Sequence, residues 1–129
     1  MIPKFRAFNK KTKKIYGVDG FKVSERRIYR CSLADDEFRP GRMETIHFVE
    51  DNLDDYILMQ LAHDDNTIYD KDIIMDCDSG EVGVVFYDNE DCAWKVQTDT
   101  TEEWLYNWLG CDVIGNTYEN PELLERVEE

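Results

Sequence analysis

The side chains that could support chemistry are mainly carboxylates. The chain has 29 Asp and Glu residues against 15 Lys and Arg, so close pairs such as Asp54-Asp55 and Asp64-Asp65 are expected at turns and solvated faces. The stretch "DCDSGE" from Asp76 is similar to the start of a calcium-binding loop, in which carboxylate oxygens surround the ion. It lacks the third acidic position before the glycine and the distant bidentate Glu. We therefore interpret it as a turn and predict no metal site.

Groups that could act as nucleophiles, bases or soft metal ligands are scattered along the chain. Ser24, Ser32 and Ser79 have no local partner that would activate them, and no GxSxG, HExxH or glycine-rich phosphate-binding motif occurs. His47 and His63 stand alone beside predicted strands and are interpreted as structural. No CxxC pair is present, which is typical of reduced thiols and not of a zinc site or disulfide framework, at Cys31, Cys77, Cys92 and Cys111. The sequence predicts no enzymatic activity, no catalytic residue and no cofactor.

A basic cluster near the N terminus has the composition that single-strand nucleic-acid binding uses. Its lysines are Lys10, Lys11, Lys13 and Lys14. Phe5, Phe8 and Tyr16 could supply stacking surfaces beside them. A net charge of −14 opposes this interpretation because it repels phosphate. Nucleic-acid binding is therefore kept as an alternative to a solvated loop.

The charge is unevenly distributed. Residues 1–30 hold ten Lys and Arg against two acids, a balance of +8, whereas residues 31–129 hold five against twenty-seven, a balance of −22. Blocks of opposite charge can attract each other within a fold, or pair head to tail between copies. Both arrangements stay open at this point.

The elements that must position these groups are mostly strands. At 129 residues the chain can form one domain or two small lobes. Alternating apolar and polar residues in "PKFRAFN", "KIYGVDGFKV" and "RRIYRCSL" predict an N-terminal meander, followed by the loop "ADDEFRPGR". Strands are also predicted at about 43–49 and 56–62. We assign a β-rich lobe, basic at its start, to residues 1–55 and a second lobe to residues 56–129.

The second lobe contains the clearest pattern. Strands are predicted at 73–77, 82–87 and 93–97, separated by "DSGE" and "DNED", which are typical turn sequences. This spacing indicates an antiparallel meander. Gly83 inside the second strand predicts a bulge or a sharp bend, which would let a small sheet curl into a barrel.

The stretch "TTEEWLYNWLG" predicts a helix. Thr100 and Glu103 have the spacing of a capping box, and Gly110 would end the helix. One face of this helix would carry Trp104, Leu105 and Trp108. We expect that face to cover an open end of the barrel, with a subunit contact as the alternative.

A final strand is predicted at 112–118 in "DVIGNTYENPELLE". Asn120 would then cap a short terminal helix with Pro121 at its first position. The apolar stripe of that helix would dock on its own lobe or on a neighbouring copy, through Leu123, Leu124 and Val127.

The hydropathy pattern predicts neither a membrane partner nor secretion. No run approaches the roughly 18 consecutive apolar residues of a membrane-spanning helix. The first residues, "MIPKFRAFNKK", lack the apolar core of a signal peptide. We expect a cytoplasmic protein.

Three blocks of the chain, "MIPKFRAFNKKTKK", "LMQLAHDDNTIYDKDII" and "DVIGNTYENPELLE", resemble the YopX proteins of temperate phages and prophages. The family's middle block commonly has a Met-Gln pair, an Ile-Tyr pair and an Asp-Ile-aliphatic run. The matching residues here are Met59, Gln60, Ile68, Tyr69, Asp72, Ile73 and Ile74. Lys71 stands where the family commonly has Gly, and "HDDN" replaces a Gly-bearing turn.

The resemblance implies a mainly β (α+β) fold, with an N-terminal β-meander lobe and a small SH3-like barrel with short helices in the C-terminal part. It also implies self-association and a phage-encoded origin in a bacterial host cell. It provides no catalytic residues. A shared fold would not by itself establish a function.

The leading hypothesis is a non-enzymatic phage or prophage accessory protein that binds a host or phage protein and forms homo-oligomers, with the basic N-terminal region of one copy facing acidic surface of another. The alternative is a nucleic-acid-binding or DNA-mimicking regulator. The predicted interaction surface consists of Lys10, Lys11, Lys13, Lys14, Trp104, Trp108, Leu123 and Leu124.

Overall fold

The computed structural model describes residues 4–38, 41, 47–63 and 67–124. Within these residues the fold is mainly β, as predicted, with two antiparallel sheets and few helical turns. The chain divides into two compact units, Met1–Gln60 (unit 1) and Leu61–Glu129 (unit 2). The sequence analysis places the division earlier, after residue 55.

Unit 1 contains five strands in its described part, in the antiparallel order β4-β3-β2-β1-β5. They are β1 (Phe5–Asn9), β2 (Ile15–Lys22), β3 (Arg27–Cys31), β4 (Phe48–Asn52) and β5 (Tyr56–His63). Strand β5 runs on past Gln60, and its last residues pair with the next strand of the chain in unit 2. The buried core of unit 1 consists of Ala7, Tyr16, Ile28, Ala34, Leu53 and Tyr56.

The predicted N-terminal meander is confirmed as β1, β2 and β3, whereas the strand predicted at 43–49 is displaced. Strand β4 runs from Phe48 to Asn52 because it pairs along its whole length with β3. The predicted strand at 43–49 therefore ends too early, and residues 42–46 lie outside the described residues. The strand predicted at 56–62 is confirmed as β5.

Unit 2 contains, in its described part, a second antiparallel sheet of order β10-β9-β8-β7-β11. Its strands are β6 (Ile68–Tyr69), which pairs with the end of β5, then β7 (Asp72–Asp76), β8 (Val82–Asp88), β9 (Ala93–Gln97), β10 (Glu102–Trp104) and β11 (Cys111–Asn116). The predicted meander is confirmed as β7, β8 and β9. The described strands leave this sheet open, with β10 and β11 at its edges, so they form no closed barrel. Its core consists of Ile68, Ile74, Val85, Val96, Leu105 and Trp108.

The prediction of a bulge at Gly83 is wrong. Strand β8 keeps a continuous register with β7 through this residue, and its pairing with β9 begins at Val84. Glycine is required there by a close approach, because an added Cβ atom would lie 2.4 Å from Cγ1 of Val96. The register shift in this sheet lies instead between Val113 and Gly115 of β11.

The predicted helix at "TTEEWLYNWLG" is also wrong. The Thr98 hydroxyl accepts hydrogen bonds from the backbone N–H groups of Thr100 and Thr101, which turns the chain back along β9. Residues Glu102–Trp104 then pair with β9 as strand β10. Only Leu105–Trp108 are helical, as a single 3-10 turn. Pairing with a neighbouring strand satisfies the backbone groups that a helix would otherwise have to satisfy internally.

The final strand ends two residues before the predicted position, at Asn116. The side-chain oxygen of Asn116 accepts hydrogen bonds from the backbone N–H groups of Tyr118 and Glu119, which makes residues 117–119 a turn. Asn120 does not cap a helix with its side chain but accepts a hydrogen bond from the Asn116 N–H. Residues 122–124 are helical, and Val127 lies outside the described residues.

Candidate interaction surface

The predicted lysine cluster lies in the turn between β1 and β2. The side-chain oxygen of Asn9 accepts hydrogen bonds from the N–H groups of Lys11 and Thr12, and Lys13 has a left-handed φ of 62°. Lys10, Lys11 and Lys14 contact acidic segments of the same unit. These contacts join Lys10 Nζ to the Asp54 carbonyl (2.8 Å), Lys11 to Asp55 (3.2 Å), and Lys14 to Asp36 and Glu37 (3.7 Å each).

The aromatic residues near this cluster do not form a platform for bases. Phe8 and Tyr16 are buried. The Tyr16 ring contacts the Tyr56 ring edge-on, and the Arg30 guanidinium lies 4.4 Å from its centroid. Phe5 packs edge-on against Phe21. Phe8 and Tyr16 are therefore not accessible for stacking with bases, and Phe5 is only partly exposed.

The other exposed aromatic residues include a group in unit 2 that surrounds an open cleft. We call this feature the aromatic cleft; it has a volume of ≈ 260 Å³ and is lined by Ala62, His63, Ala93, Trp94, Trp104, Leu105, Tyr106 and Leu109. Only His63 among these residues is strongly polar. Trp104 is 41% exposed and Tyr106 is 70% exposed. An apolar cleft with accessible aromatic side chains is typical of a protein contact.

Strand β10 and the 3-10 turn after it determine which side chains reach the cleft. Trp104 ends β10 directly opposite Lys95 of β9 and remains accessible. The chain then turns, so that Leu105 and Trp108 are buried in the core. The indole N–H of Trp108 donates a 2.7 Å hydrogen bond to Glu103, which holds the turn against β10. Trp108 is therefore a structural residue, in contrast to the prediction that it contributes to an interaction surface.

Trp94 of β9 also lines the aromatic cleft. It lies directly across from Tyr87 in the pairing of β8 with β9, and the two rings meet edge-on with centroids 5.3 Å apart. Directly opposed aromatic residues stabilise antiparallel strands by side-chain contact. The contact with Tyr87 therefore holds the Trp94 ring in position in the lining of the cleft.

A group of charges lies beneath Trp104. We call it the Lys95 cluster: Lys95, Asp88, Asp91 and Glu102. Lys95 Nζ donates hydrogen bonds to Asp88 (2.7 Å) and Asp91 (2.6 Å), lies 3.9 Å from Glu102 and is 4.9 Å from the Trp104 ring centroid. The hydrogen bonds to Asp88 and Asp91 raise the pKa of Lys95, and the one from Lys95 lowers the pKa of Asp88. One cation is thus held among three carboxylates, which leaves the cluster with a net charge of −2.

The remaining predicted surface residues lie elsewhere. Leu123 lines a second cleft of unit 2, ≈ 510 Å³ in volume, together with Met75, Gly80, Glu81, Val82, Asp99 and Ile114. Leu124 is half-buried. The predicted lysines are thus in unit 1. Within unit 2, Trp104 lines the aromatic cleft, Trp108 is in the core and Leu123 lines the second cleft. The sequence-based prediction does not include Trp94 or Tyr106. Alternation in "AWKVQ" could have indicated Trp94, whereas the exposure of Tyr106 follows from the 3-10 turn.

The described part of the chain also contains histidine, cysteine and carboxylate side chains outside these clefts. No group of three His, Cys, Asp or Glu side chains there is placed to hold a metal ion. All four cysteines are thiols, and a hydrogen bond from Cys77 to Asp112 raises the pKa of that thiol. A raised pKa lowers the thiolate fraction on which reactivity depends. No described helix combines the length and the apolar composition needed to cross a bilayer.

Comparison with known proteins supports the sequence resemblance. A family model described as YopX protein matches residues 4–125. The crystal structure of protein EF1440 from Enterococcus faecalis is similar, with a TM-score of 0.62 and 23% sequence identity, over 96% of this chain and 99% of that chain. At this level of identity the similarity establishes the fold alone. No curated protein gives a significant match.

Proposed function

This chain belongs to the YopX family, and from that premise we propose that it is a non-enzymatic binding protein whose aromatic cleft contacts another protein. The role fits an accessory protein of a phage or prophage that works in the cytoplasm of the bacterial host. The SH3-like relationship of unit 2 is part of the same proposal, since it rests on the resemblance to the family.

The exposed aromatic cleft is the observation that carries the proposal. Trp and Tyr are enriched among the residues that dominate protein interfaces, and here Trp104 and Tyr106 are accessible beside a buried apolar floor. The cleft volume of ≈ 260 Å³ lies below the range of about 300–1,000 Å³ that is usual for small-molecule sites. It is better matched to one or two side chains of a partner protein.

Site-specific photo-crosslinking tests this proposal directly. Benzoylphenylalanine introduced at Tyr106 should form adducts with a bacterial host protein on irradiation in lysate, identified by mass spectrometry. The same group at Phe48, an exposed aromatic residue of β4, is the matched control. We expect adducts from position 106 that are absent from position 48 and that are lost when Trp104→Ala is added. Equal adducts from both positions, or none from position 106, would contradict the proposal.

Self-association remains a second form of the proposal. The predicted attraction between the basic region of one copy and the acidic surface of another is reduced, because Lys10, Lys11 and Lys14 already contact acidic segments of their own unit. An apolar contact between copies would have to overcome repulsion between two chains of net charge −14. Size-exclusion chromatography with light scattering at low and high salt measures the outcome. A monomer under both conditions would exclude this form.

Nucleic-acid binding is the weaker alternative, and DNA mimicry would use the acidic surface instead. Fluorescence anisotropy with single-stranded and duplex DNA tests direct binding to nucleic acid. The titration is made at low salt, where contacts with phosphate are strongest. We expect no binding by the wild-type protein. Binding that is lost on combining Lys10→Ala with Lys13→Ala would support the nucleic-acid alternative. Competition with DNA for a crosslinked host protein would support mimicry.

A further inference from the structure

We infer that the partner of the aromatic cleft presents a basic segment, with an arginine or lysine next to an apolar side chain. The inference rests on the proposed function, since it specifies what binds at the same cleft.

The floor of the cleft accepts an apolar group. Leu105 is buried, and Ala93 and Leu109 line the same space, so water there has few hydrogen-bonding partners. Displacing such water with an aliphatic or aromatic side chain is favourable in proportion to the apolar area removed from solvent. The partner must therefore supply at least one apolar anchor.

The Lys95 cluster, which contacts the cleft residue Trp104, has carboxylates that can accept a further cation. The side chains of Asp91 and Glu102 are 52% and 51% exposed, whereas that of Lys95 is only 11% exposed. Glu102 is 3.9 Å from Lys95 Nζ, which is longer than a hydrogen bond. Its oxygens can therefore accept hydrogen bonds from a partner's guanidinium or ammonium group. The net charge of −2 on the Lys95 cluster favours that contact.

The aromatic rings add to the same preference. Trp104 already has the cation of Lys95 close to its ring, which shows that the indole and a cation are compatible at this position. Arginine is especially suited to such a site, because its planar guanidinium can stack on a ring while it donates to a carboxylate. Tyr106, at 70% exposed, offers a second accessible ring.

The net negative charge of unit 2 favours a basic partner over a second copy of this chain. Residues 61–129 contain three Lys and Arg against nineteen acids, a balance of −16, whereas residues 1–60 contain twelve against ten, a balance of +2. Two copies meeting through the aromatic cleft would bring two strongly acidic surfaces together. A basic partner instead gains from charge complementarity, which increases the association rate at low salt.

Three dye-labelled peptides of equal length test the inference by fluorescence anisotropy. The first has paired leucines flanked by arginines, the second replaces each arginine with uncharged citrulline, and the third replaces each leucine with alanine. We expect the first peptide to bind the full-length protein about tenfold or more tightly than either of the others. Its affinity should fall as salt rises, because exposed charge contacts are screened.

Matched variants connect the binding to the cleft. Trp104→Ala should weaken binding of the first peptide by about tenfold, and Glu102→Gln by about threefold. Asp19→Asn, which changes the net charge equally at an exposed residue of β2, should leave the affinity unchanged. Tyr106→Ala removes a more exposed ring and serves as a second cleft variant in case Trp104→Ala unfolds.

The outcomes separate the two proposals. Equal binding of the arginine and citrulline peptides, with both dependent on Trp104, overturns the basic partner and leaves the cleft as a binding site. Binding of the arginine peptide that is insensitive to both Trp104→Ala and Tyr106→Ala overturns the inference, as does failure of all three peptides to bind. The crosslinking at position 106 then decides separately whether the proposed function survives.

Discussion

The two units of the chain have similar sheets but use charge in opposite ways. In unit 1 the basic and acidic residues pair with each other, and the balance is +2. Ion pairs in its described part include Lys11 with Asp55, Lys14 with Asp36 and Glu37, Lys22 with Glu25, Arg26 with Asp54, Arg27 with Glu50, and Arg30 with Asp51. In unit 2, Lys71 and Lys95 are the cations of the described residues, and Lys95 is surrounded by three carboxylates.

The two units also differ in the charged groups that surround their aromatic residues. In unit 1, Tyr56 is buried, and its hydroxyl donates to Asp51 and accepts from Arg30. In unit 2, Trp104 and Tyr106 remain accessible beside the acidic cluster. Unit 1 also has exposed rings, such as Phe48, but its basic and acidic side chains pair with each other. Unit 2 instead combines accessible rings with an excess of negative charge. This difference is why we assign the binding surface to unit 2.

The largest expected difference between the two units is in how strongly a glycine-to-alanine substitution destabilises the protein. Gly83→Ala would place a methyl group 2.4 Å from Cγ1 of Val96 and 3.2 Å from the Gln97 carbonyl oxygen, so the core of unit 2 must shift. We expect this substitution to lower the free energy of unfolding by about 1–3 kcal/mol. Gly17→Ala in β2 is the matched control in unit 1, because nothing lies within 4 Å of the added carbon.

Urea denaturation of both glycine variants measures the difference. The control should change the free energy of unfolding by less than about 0.5 kcal/mol in either direction. Equal destabilisation by the two substitutions would show that the close approach to Val96 does not determine the residue at position 83. A change in the slope of the transition would indicate an altered unfolded or native state instead.

A second, smaller difference between the units is expected when a lysine that contacts carboxylates is replaced with methionine. Lys95→Met removes the cation from the Lys95 cluster and leaves three carboxylates to repel one another, so the melting temperature at pH 7 should fall. Lys14→Met is the matched control in unit 1, because Lys14 also contacts two carboxylates, but at 3.7 Å and with 38% of its side chain exposed. Exposed pairs of this kind contribute about 0.2–1 kcal/mol. We expect the larger fall for Lys95→Met.

The pH dependence sharpens this comparison. The hydrogen bond from Lys95 lowers the pKa of Asp88 below its ordinary value of 3.8, so the folded protein binds fewer protons there than the unfolded chain. The resulting stability is present above about pH 3.8 and is lost as the pH falls through the lowered pKa. In Lys95→Met, acidification instead relieves repulsion. Melting temperatures of wild type and variant should therefore converge towards acid pH, and a constant difference would contradict the assigned role of Lys95.

The smallest expected effect concerns Asp70 of unit 2. One of its carboxylate oxygens is buried and has no hydrogen-bond partner in the described part of the chain, and burial raises the pKa of this group above 3.8. An acid with a raised folded-state pKa contributes stability below its unfolded pKa and loses it as the pH rises through the folded value. Asp70→Asn should therefore stabilise the protein at pH 7 but not near pH 3.

The gain from Asp70→Asn should be less than about 1 kcal/mol, because the side chain is partly exposed and solvent screens its charge. Thermal unfolding at both pH values measures it. Asp19→Asn, at an exposed position of unit 1, is the control for the loss of one carboxylate and should change the free energy of unfolding by less than about 0.5 kcal/mol. Equal gains at pH 3 and pH 7 would mean that ionisation of Asp70 is not the cause.

Local sequence determined most of the strands. Alternation in "FRAFN" and the turn sequences "DSGE" and "DNED" were sufficient to predict the meanders, since side-chain period and turn chemistry involve residues near each other in the chain. Motifs across the whole chain were also sufficient to identify the family. Of the aromatic residues that line the cleft, only Trp104 was predicted to belong to an interaction surface. Trp94 and Tyr106 were not predicted, because they come from β9 and from the 3-10 turn, and only the fold brings these segments to the same cleft.

Composition and local pattern determined that this chain is acidic, mainly β and a member of the YopX family. Only the tertiary structure decided that "TEEW" pairs as a strand, because β9 supplies the backbone hydrogen bonds that compete with a helix. It also decided that Lys10 contacts the carbonyl of Asp54, a residue 44 positions away. Contacts between residues so far apart depend on which strands become neighbours, and that information is distributed over the whole chain and absent from any single segment.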